Sequence, residues 1–310
     1  MKTIAVFGGT GLIGRKFIDL CKEKGYLVSL FTRDLQTAAI SIHNADNYYK
    51  LSDSPQKMAE SLNGAFAVVN LAGSPISRRW TANYKETIRE SRIKTTRLIC
   101  DTMKLCSTPP GILFNASAVG FYGNTGNMTI TETSPSGNDF LASICRDWEN
   151  EAGKVSSIAR VIFGRFGIVL DQKEGALSKM LPAFKLFAGG PLGSGRQWLP
   201  WIHIEDVASM ILFALENDNI SGGFNIVSPE PVQMKKFAST LGKTLKRPSF
   251  FPVPPFVLIL LKGEMATVVL NGTRALPEKA MNNSYQFKFT ELRSALLDLV
   301  AEPREKGLSC

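Results

Sequence analysis

The chain has 310 residues, 44% of them hydrophobic and 20% charged, enough for one large domain or two closely joined ones. Thirty-six Lys and Arg against 27 Asp and Glu leave a formal charge of +9, which favours anionic ligands such as nucleotides. No long basic tract and no aromatic–basic interleaving accompanies that charge, which argues against a nucleic-acid partner.

The chain opens on an apolar run, Ile4 to Phe7, followed by Gly8-Gly9-Thr10-Gly11-Leu12-Ile13-Gly14 and a helical pattern over 12–24. A strand, a glycine turn and a helix N-terminus together make a dinucleotide pyrophosphate site. Gly8 permits the tight turn, Gly11 clears backbone approach to the phosphates, and Gly14 lets the helix pack close to its strand. Gly8, Thr10, Gly11, Leu12 and Ile13 are the candidate contacts. A second strand over 27–31 ends in Thr32-Arg33-Asp34. An acidic residue at that edge would bind ribose hydroxyls and repel a 2′-phosphate; Arg33 can instead pair with the phosphate through its planar fork, and Thr32 offers a hydroxyl. NADP(H) is therefore the expected cofactor, with Asp34 read as the start of the next helix.

Helical patterns follow over 55–62, 83–106 and 140–155, and strand patterns over 65–71, 112–116 and 159–166. Lys85, Arg89, Arg92 and Arg97 share one side of the 83–106 helix, as a solvated face does. Short, continuous apolar strands alternating with helices predict an α/β fold, a doubly wound parallel Rossmann sheet that binds ligands at its carboxyl edge. Leu71, Ala72 and Gly73 lie at that edge and let the adenosine half of a cofactor approach.

The composition changes after Gly167. Gly189 to Gly195 reads as a loop, Trp201-Ile202-His203-Ile204-Glu205-Asp206 leads into a helix over 207–216, and 223–227 reads as a strand. Residues 1–167 plus about 199–228 are assigned to the nucleotide domain. Residues 168–198 plus 229–310 form a small mixed α/β substrate lobe. Residues 250–261 are apolar but carry Pro252, Pro254 and Pro255, too short and interrupted to span a bilayer; they read as a loop and helix closing that lobe. No membrane contact is expected. Cys21, Cys100, Cys106, Cys145 and Cys310 lack metal-ligand spacing, and no metal is expected. The odd, unpaired cysteine set and the absence of an apolar leader after Met1-Lys2 make the cytoplasm the expected location.

With these elements placed, the chain resembles the short-chain dehydrogenase/reductase superfamily in its extended, sugar-nucleotide-epimerase-like branch. It is most similar to the atypical "epimerase family protein" subgroup, some members of which are called nucleoside-diphosphate-sugar epimerases. The resemblance spans nearly the whole chain. It rests on Gly8 to Gly14, Asn70 to Gly73, Ser91-Arg92, Ser117-Ala118-Val119-Gly120-Phe121-Tyr122-Gly123 and Arg165 to Leu170. Gly189 to Gly195, Gln197-Trp198, Trp201 to Asp206 and Gly263-Glu264-Met265-Ala266 complete it. It implies an NADP-binding domain, with Arg92 among the cofactor contacts, a C-terminal substrate lobe, and a homodimer through helices 83–106 and 140–155.

The superfamily's Tyr-x-x-x-Lys proton relay is missing. Its positions fall on Leu141 and Cys145, and Ser91 replaces the usual asparagine. Ser117 remains as a catalytic candidate. Tyr122, Cys145 and His203 are alternative proton donors, weighed against packing, burial and a loop-holding role respectively. Arg165 and Arg196 are candidate contacts to an anionic substrate, with a buried structural role equally open to Arg165. Asp139 and Asp206 read as helix caps, and Glu264 as a cap or a pocket residue. Two functions remain open: an NADP(H)-dependent oxidoreductase or epimerase-like enzyme acting on a small carbonyl or sugar-nucleotide-like substrate, and a non-catalytic NADP(H)-binding sensor or interaction protein.

Overall fold

A computed structural model describes residues 1–51 and 54–300, so Cys310 lies outside the described residues. Strands and helices alternate from the start: β1 (Thr3–Phe7), α1 (Leu12–Glu23), β2 (Leu27–Thr32), α2 (Leu35–Ser41), β3 (Asn47–Lys50), α3 (Pro55–Leu62), β4 (Ala67–Asn70), α4 (Ala82–Leu105) and β5 (Ile112–Ala118). A 3-10 turn at Val119–Tyr122 leads to β6 (Thr129–Ile130), α5 (Phe140–Gly153) and β7 (Arg160–Phe166). Then come β8 (Ile168–Leu170), α6 (Gly175–Lys185), β9 (Trp198–Leu199), β10 (Trp201–His203), α7 (Ile204–Glu216) and β11 (Gly222–Ile226). The chain ends with β12 (Val232–Gln233), α8 (Met234–Leu245), α9 (Pro255–Lys262), a 3-10 turn at Gly263–Ala266, α10 (Thr267–Leu270), β13 (Arg274–Ala275), α11 (Glu278–Asn282) and α12 (Leu292–Val300).

Seven strands form one parallel sheet in the order β11-β7-β5-β4-β1-β2-β3. The chain departs from β1 in one direction to β2 and β3, then crosses back to β4 and β5. The carboxyl ends of β1 and β4 therefore flank the topological switch point, where doubly wound sheets bind ligands. The alternation along β1 sets the layers. Ile4 and Val6 pack with Phe17 and Ile18 of α1 and Val207 and Ile211 of α7 on one face. Ala5 and Phe7 pack with Met58 of α3, Ile99 of α4 and Ala152 of α5 on the other. Both faces are covered, which is why the strands read as continuous apolar runs.

Some elements were missed or read only in part: α2 was marked at its start by Asp34 alone, and β3 and α6 were not anticipated. β3 is Asn-Tyr-Tyr-Lys on the sheet edge, half exposed and without an apolar run. α2 is seven residues with one buried side chain, Ala38.

A second core, including Leu181, Phe184, Trp201, Phe237, Leu241 and Leu296, joins α6, α8 and α12. Around it run two-stranded ladders β8–β10 and β9–β12, while β6–β13 stitches the loop after β5 to the C-terminal segment. The apolar segment expected to close this lobe contains α9, which buries none of its residues. Only the turn after α9 packs inward, where Ala266 is fully buried and Met265 meets the Trp80 cluster.

Candidate functional site

Gly8 has φ +79°, the left-handed region open to glycine, and a Cβ there would lie 2.7 Å from the Leu71 and Ala72 backbone. The register Phe7↔Asn70 explains this, since the segments leaving β1 and β4 run side by side. A Cβ on Gly14 would meet Gly8 O and Gly9 Cα at 2.5 Å. The helix thus packs on the turn itself, not on the strand as expected. Gly11 is different: it is exposed, its N–H donates to Gly8 O at 3.1 Å, and a Cβ would touch only Gly8 O at 3.4 Å. Gly11 is the N-cap of α1 and offers no side-chain cap. No side-chain oxygen therefore caps the first turn holding the Leu12 and Ile13 N–H groups, and the residue before them is exposed and carries no side chain, which suits a helix N-terminus that takes an anion. Arg15 braces the loop through Thr10 O and Glu174.

At the end of β2, Asp34 caps α2, its carboxylate accepting the Thr37 N–H at 3.1 Å and the Thr37 hydroxyl at 2.6 Å. Those bonds hold its carboxyl below its usual range. Its acidity is thereby turned into the helix. Arg33 is exposed and, among the described residues, has no carboxylate partner. Thr32 Oγ1 accepts the Asp34 N–H at 3.3 Å and shapes the corner.

Asn70 is fully buried and organises the β4 edge. Its Nδ2 donates to Asn115 Oδ1 at 2.7 Å and to Thr96 Oγ1 at 3.0 Å, and its Oδ1 accepts the Ala72 N–H at 3.1 Å. This fixes Leu71, Ala72 and Gly73 against Gly8. Beneath Gly73 lies the Arg92 guanidinium, donating to Ser74 O and Ile88 O and sitting 5.0 Å over Trp148. Burial lowers Arg92 below an ordinary guanidinium, and no carboxylate compensates it among the described residues. Arg92 is thus a buried positive charge under the Leu71–Gly73 edge, not part of a solvated helix face.

Beyond β5, Ser117 donates to Glu149 Oε1 at 2.7 Å. Glu149 is also gripped by Arg165, Nε to Oε1 at 2.9 Å and Nη2 to Oε2 at 2.8 Å, with both side chains 7% exposed. Arg165 Nη1 donates to Tyr122 OH at 2.9 Å and to Glu132 O at 3.2 Å, and the guanidinium stacks 3.6 Å from the Phe121 ring. Burial pulls Arg165 down, but the Glu149 contact outweighs it and leaves the guanidinium above its ordinary value. Tyr122 OH donates to Asn225 Oδ1 at 2.7 Å, and burial pushes its phenol up to about 12. An activated phenol would be pushed the other way. Cys145, buried beside Ser117, is likewise pushed up to about 11 by burial, with Glu149 adding to it. The structure therefore joins Ser117, Tyr122, Cys145 and Arg165 in one place, as a buried network.

His203 is buried, stacks 3.9 Å from Phe289, and caps α7, its Nδ1 accepting the Glu205 N–H at 3.1 Å. Asp206 is not the cap expected of it. It accepts the Lys288 and Phe289 N–H groups at 2.8 and 2.9 Å and pins the C-terminal segment to α7. Asp139 does cap α5, accepting the Ala142 N–H at 2.9 Å. Arg196 is exposed in the 189–195 loop region, and Glu264 pairs with Lys85 at 2.5 Å, tying the lobe to α4. Sequence reasoning missed Glu149, Asn225 and Glu132. Glu149 had a signal: it stands four residues after Cys145 and eight after Leu141, an acid on the same helix stripe as the vacated relay positions.

Residues 4–227 match the NAD dependent epimerase/dehydratase family, and residues 253–299 match a domain of unknown function, DUF1731. The chain is 39% identical over 303 residues to the epimerase family protein SDR39U1 homolog, chloroplastic, of Arabidopsis thaliana, covering 95% of this chain and 85% of that one. It is 37% identical to the epimerase family protein YfhF of Bacillus subtilis, covering 96% and 98%. The crystal structure of human epimerase family protein SDR39U1 with NADPH superposes with a TM-score of 0.87 at 32% identity, covering 96% of this chain and 98% of that one. Whole-chain identity, the family match over the Rossmann sheet and the superposition agree: the chain belongs to the NAD dependent epimerase/dehydratase family, with a DUF1731 domain at its C-terminal side.

Proposed function

We propose that this protein binds NADP(H) in the β1–α1 cradle and acts as an oxidoreductase or epimerase-like enzyme on a small carbonyl or sugar-nucleotide-like substrate. The observation that carries the cofactor assignment is the pairing of an uncapped, unshielded Gly11 turn with an exposed Arg33 whose neighbouring acid is committed to α2. The human relative solved with NADPH supports the same choice. Leu12 and Ile13 N–H groups would hold the pyrophosphate, Arg33 and Thr32 the 2′-phosphate, and Leu71 to Gly73 over Arg92 the adenosine side. The nicotinamide supplies or accepts a hydride when bound.

Ser117 is the residue we assign to the substrate oxygen. Its hydroxyl donates to Glu149, so its lone pairs are left to accept from a substrate hydroxyl, and a proton taken up by Oγ is matched by one passed to Glu149. Tyr122, Arg165 and His203 are assigned to the framework that holds Ser117 and the lobe, and Arg196 to an anionic substrate group. Mixing the protein with NADPH and a panel of carbonyls, and with NADP+ and alcohols or sugar nucleotides, tests this by absorbance at the reduced-nicotinamide band. Turnover abolished by Ser117→Ala is expected; turnover unchanged in that variant refutes the assignment.

A second reading is favoured by the chemistry at the relay positions. Leu141 cannot exchange protons, and Cys145 and Tyr122 are pushed away from the range where they would. On that reading the protein binds NADP(H) without turnover. Tight NADPH binding with no reaction across the whole panel would favour it.

A further inference from the structure

We propose that the apolar, basic face of the C-terminal lobe is a docking surface for an anionic membrane. Phe256 is 69% exposed and Leu260 74%, on a helix with no buried residue. Leu186 and Phe187, just past α6, are 76% and 54% exposed, and Phe250 is 70% exposed. The two segments form one surface, because Phe251 N donates to Gly189 O at 3.3 Å and Val253 N to Pro191 O at 2.9 Å. Contiguous large apolar side chains in water mark an interaction surface.

Charge identifies the occupant. Residues 231–263 contain Lys235, Lys236, Lys243, Lys246, Arg247 and Lys262 and no Asp or Glu; residues 175–203 add three cations and again no acid. In the fold, Lys236, Lys243 and Lys246 line a cleft that Glu230 and Glu291 also enter, whereas Lys185 and Arg247 line a neighbouring cleft with no acid among its lining residues. The Arg247 guanidinium lies 4.5 Å over the Phe187 ring, so charge and apolar surface interleave. A second copy of the chain would set like charges face to face, and nucleic acid would leave the Phe and Leu side chains in water. The headgroup boundary of an anionic bilayer satisfies both, taking apolar side chains below and cations at the lipid phosphates. No helix among the described residues is long and apolar enough to cross a membrane, so the contact lies in the plane. The expectation of no membrane contact rested on the lack of a spanning segment, which in-plane docking does not need. The surface is distinct from the glycine cradle and does not depend on the cofactor reading.

Flotation of the full chain with vesicles of phosphatidylcholine alone, and with about one third phosphatidylglycerol, tests this. The protein should float with the anionic vesicles, remain behind with the neutral ones, and be released as salt rises. Leu260→Ser/Leu261→Ser should abolish flotation, and Lys246→Ala should lower partitioning about five-fold. All three side chains are exposed, so the melting temperature and NADPH binding should be unchanged. Failure of the wild type to float, equal binding to both vesicles, or undiminished binding of both variants would overturn the proposal. Self-association lost in the Leu260→Ser/Leu261→Ser variant, without flotation of the wild type, would assign the face to a second copy instead.

Discussion

Replacing Arg165 with methionine should destabilise the fold rather than merely weaken a ligand contact. Arg165 and Glu149 are each 7% exposed at the side chain and share two hydrogen bonds, at 2.8 and 2.9 Å. Methionine keeps much of the volume against Phe121 but leaves the Glu149 carboxylate buried with Ser117 as its remaining donor. It also strips a donor from Tyr122 OH. Breaking one side of a buried pair costs about 3–5 kcal/mol. At about 2.1 cal/mol/K per residue, 310 residues give an unfolding entropy near 0.65 kcal/mol/K, so the melting temperature should fall by about 5–8 °C. Glu149→Gln should cost a similar amount, because it strands the guanidinium. The combination Arg165→Met/Glu149→Gln should cost well under the sum, with a coupling of about 2 kcal/mol or more. Calorimetry or urea unfolding of the four proteins measures this cycle. An Arg165→Met loss below about 1 kcal/mol, or strictly additive losses, would show that the arginine is not the internal partner described and would return it to the substrate.

Other outcomes follow from the same geometry. Gly8→Ala should abolish NADPH binding in a fluorescence titration and lower the melting temperature, since it adds strain at φ +79° and a 2.7 Å clash with the Leu71–Ala72 backbone. Glu132 accepts the Asn225 N–H at 3.1 Å through Oε1, while its Oε2 is buried without a partner, and burial raises its carboxyl. A carboxyl raised by folding contributes stability below its unfolded value and loses it as pH rises through the folded value. The stability difference Glu132→Gln minus wild type should therefore shift in favour of the glutamine as pH rises from about 4.5 toward neutrality; a flat difference would refute it. Iodoacetamide at neutral pH should leave Cys145 unmodified in the native protein by peptide mass mapping, since the thiol is buried and pushed up to about 11. Rapid labelling of that peptide would contradict the burial described.

The fold was legible because both faces of the sheet are covered: six strands and five helices announce themselves as apolar runs and amphipathic stripes. β3 escaped because Asn47–Lys50 lies at a half-exposed edge, and α2 was marked only by its cap, Asp34, because Leu35–Ser41 buries only Ala38. The glycine turn between β1 and α1 was legible because glycines at fixed spacing report a backbone requirement, which is local. The Ser117 surroundings were not, because Glu149, Arg165, Tyr122 and Asn225 come from four separate parts of the chain and meet only when α5, β7 and β11 close on β5. His203 and Asp206 were assigned interchanged roles for a similar reason. Sequence shows a polar pair at a strand-to-helix junction, whereas the Lys288 and Phe289 N–H groups that claim Asp206 lie about 80 residues away.

The central claim is that this chain holds NADP(H) by its 2′-phosphate through Arg33. Isothermal titration of NADPH and NADH into the wild type and Arg33→Ala tests it most directly. A charge-assisted phosphate contact of about 1.5–3 kcal/mol predicts that Arg33→Ala weakens NADPH by about 10- to 150-fold and leaves NADH nearly unchanged. Equal loss for both dinucleotides, or no loss for either, would contradict the account.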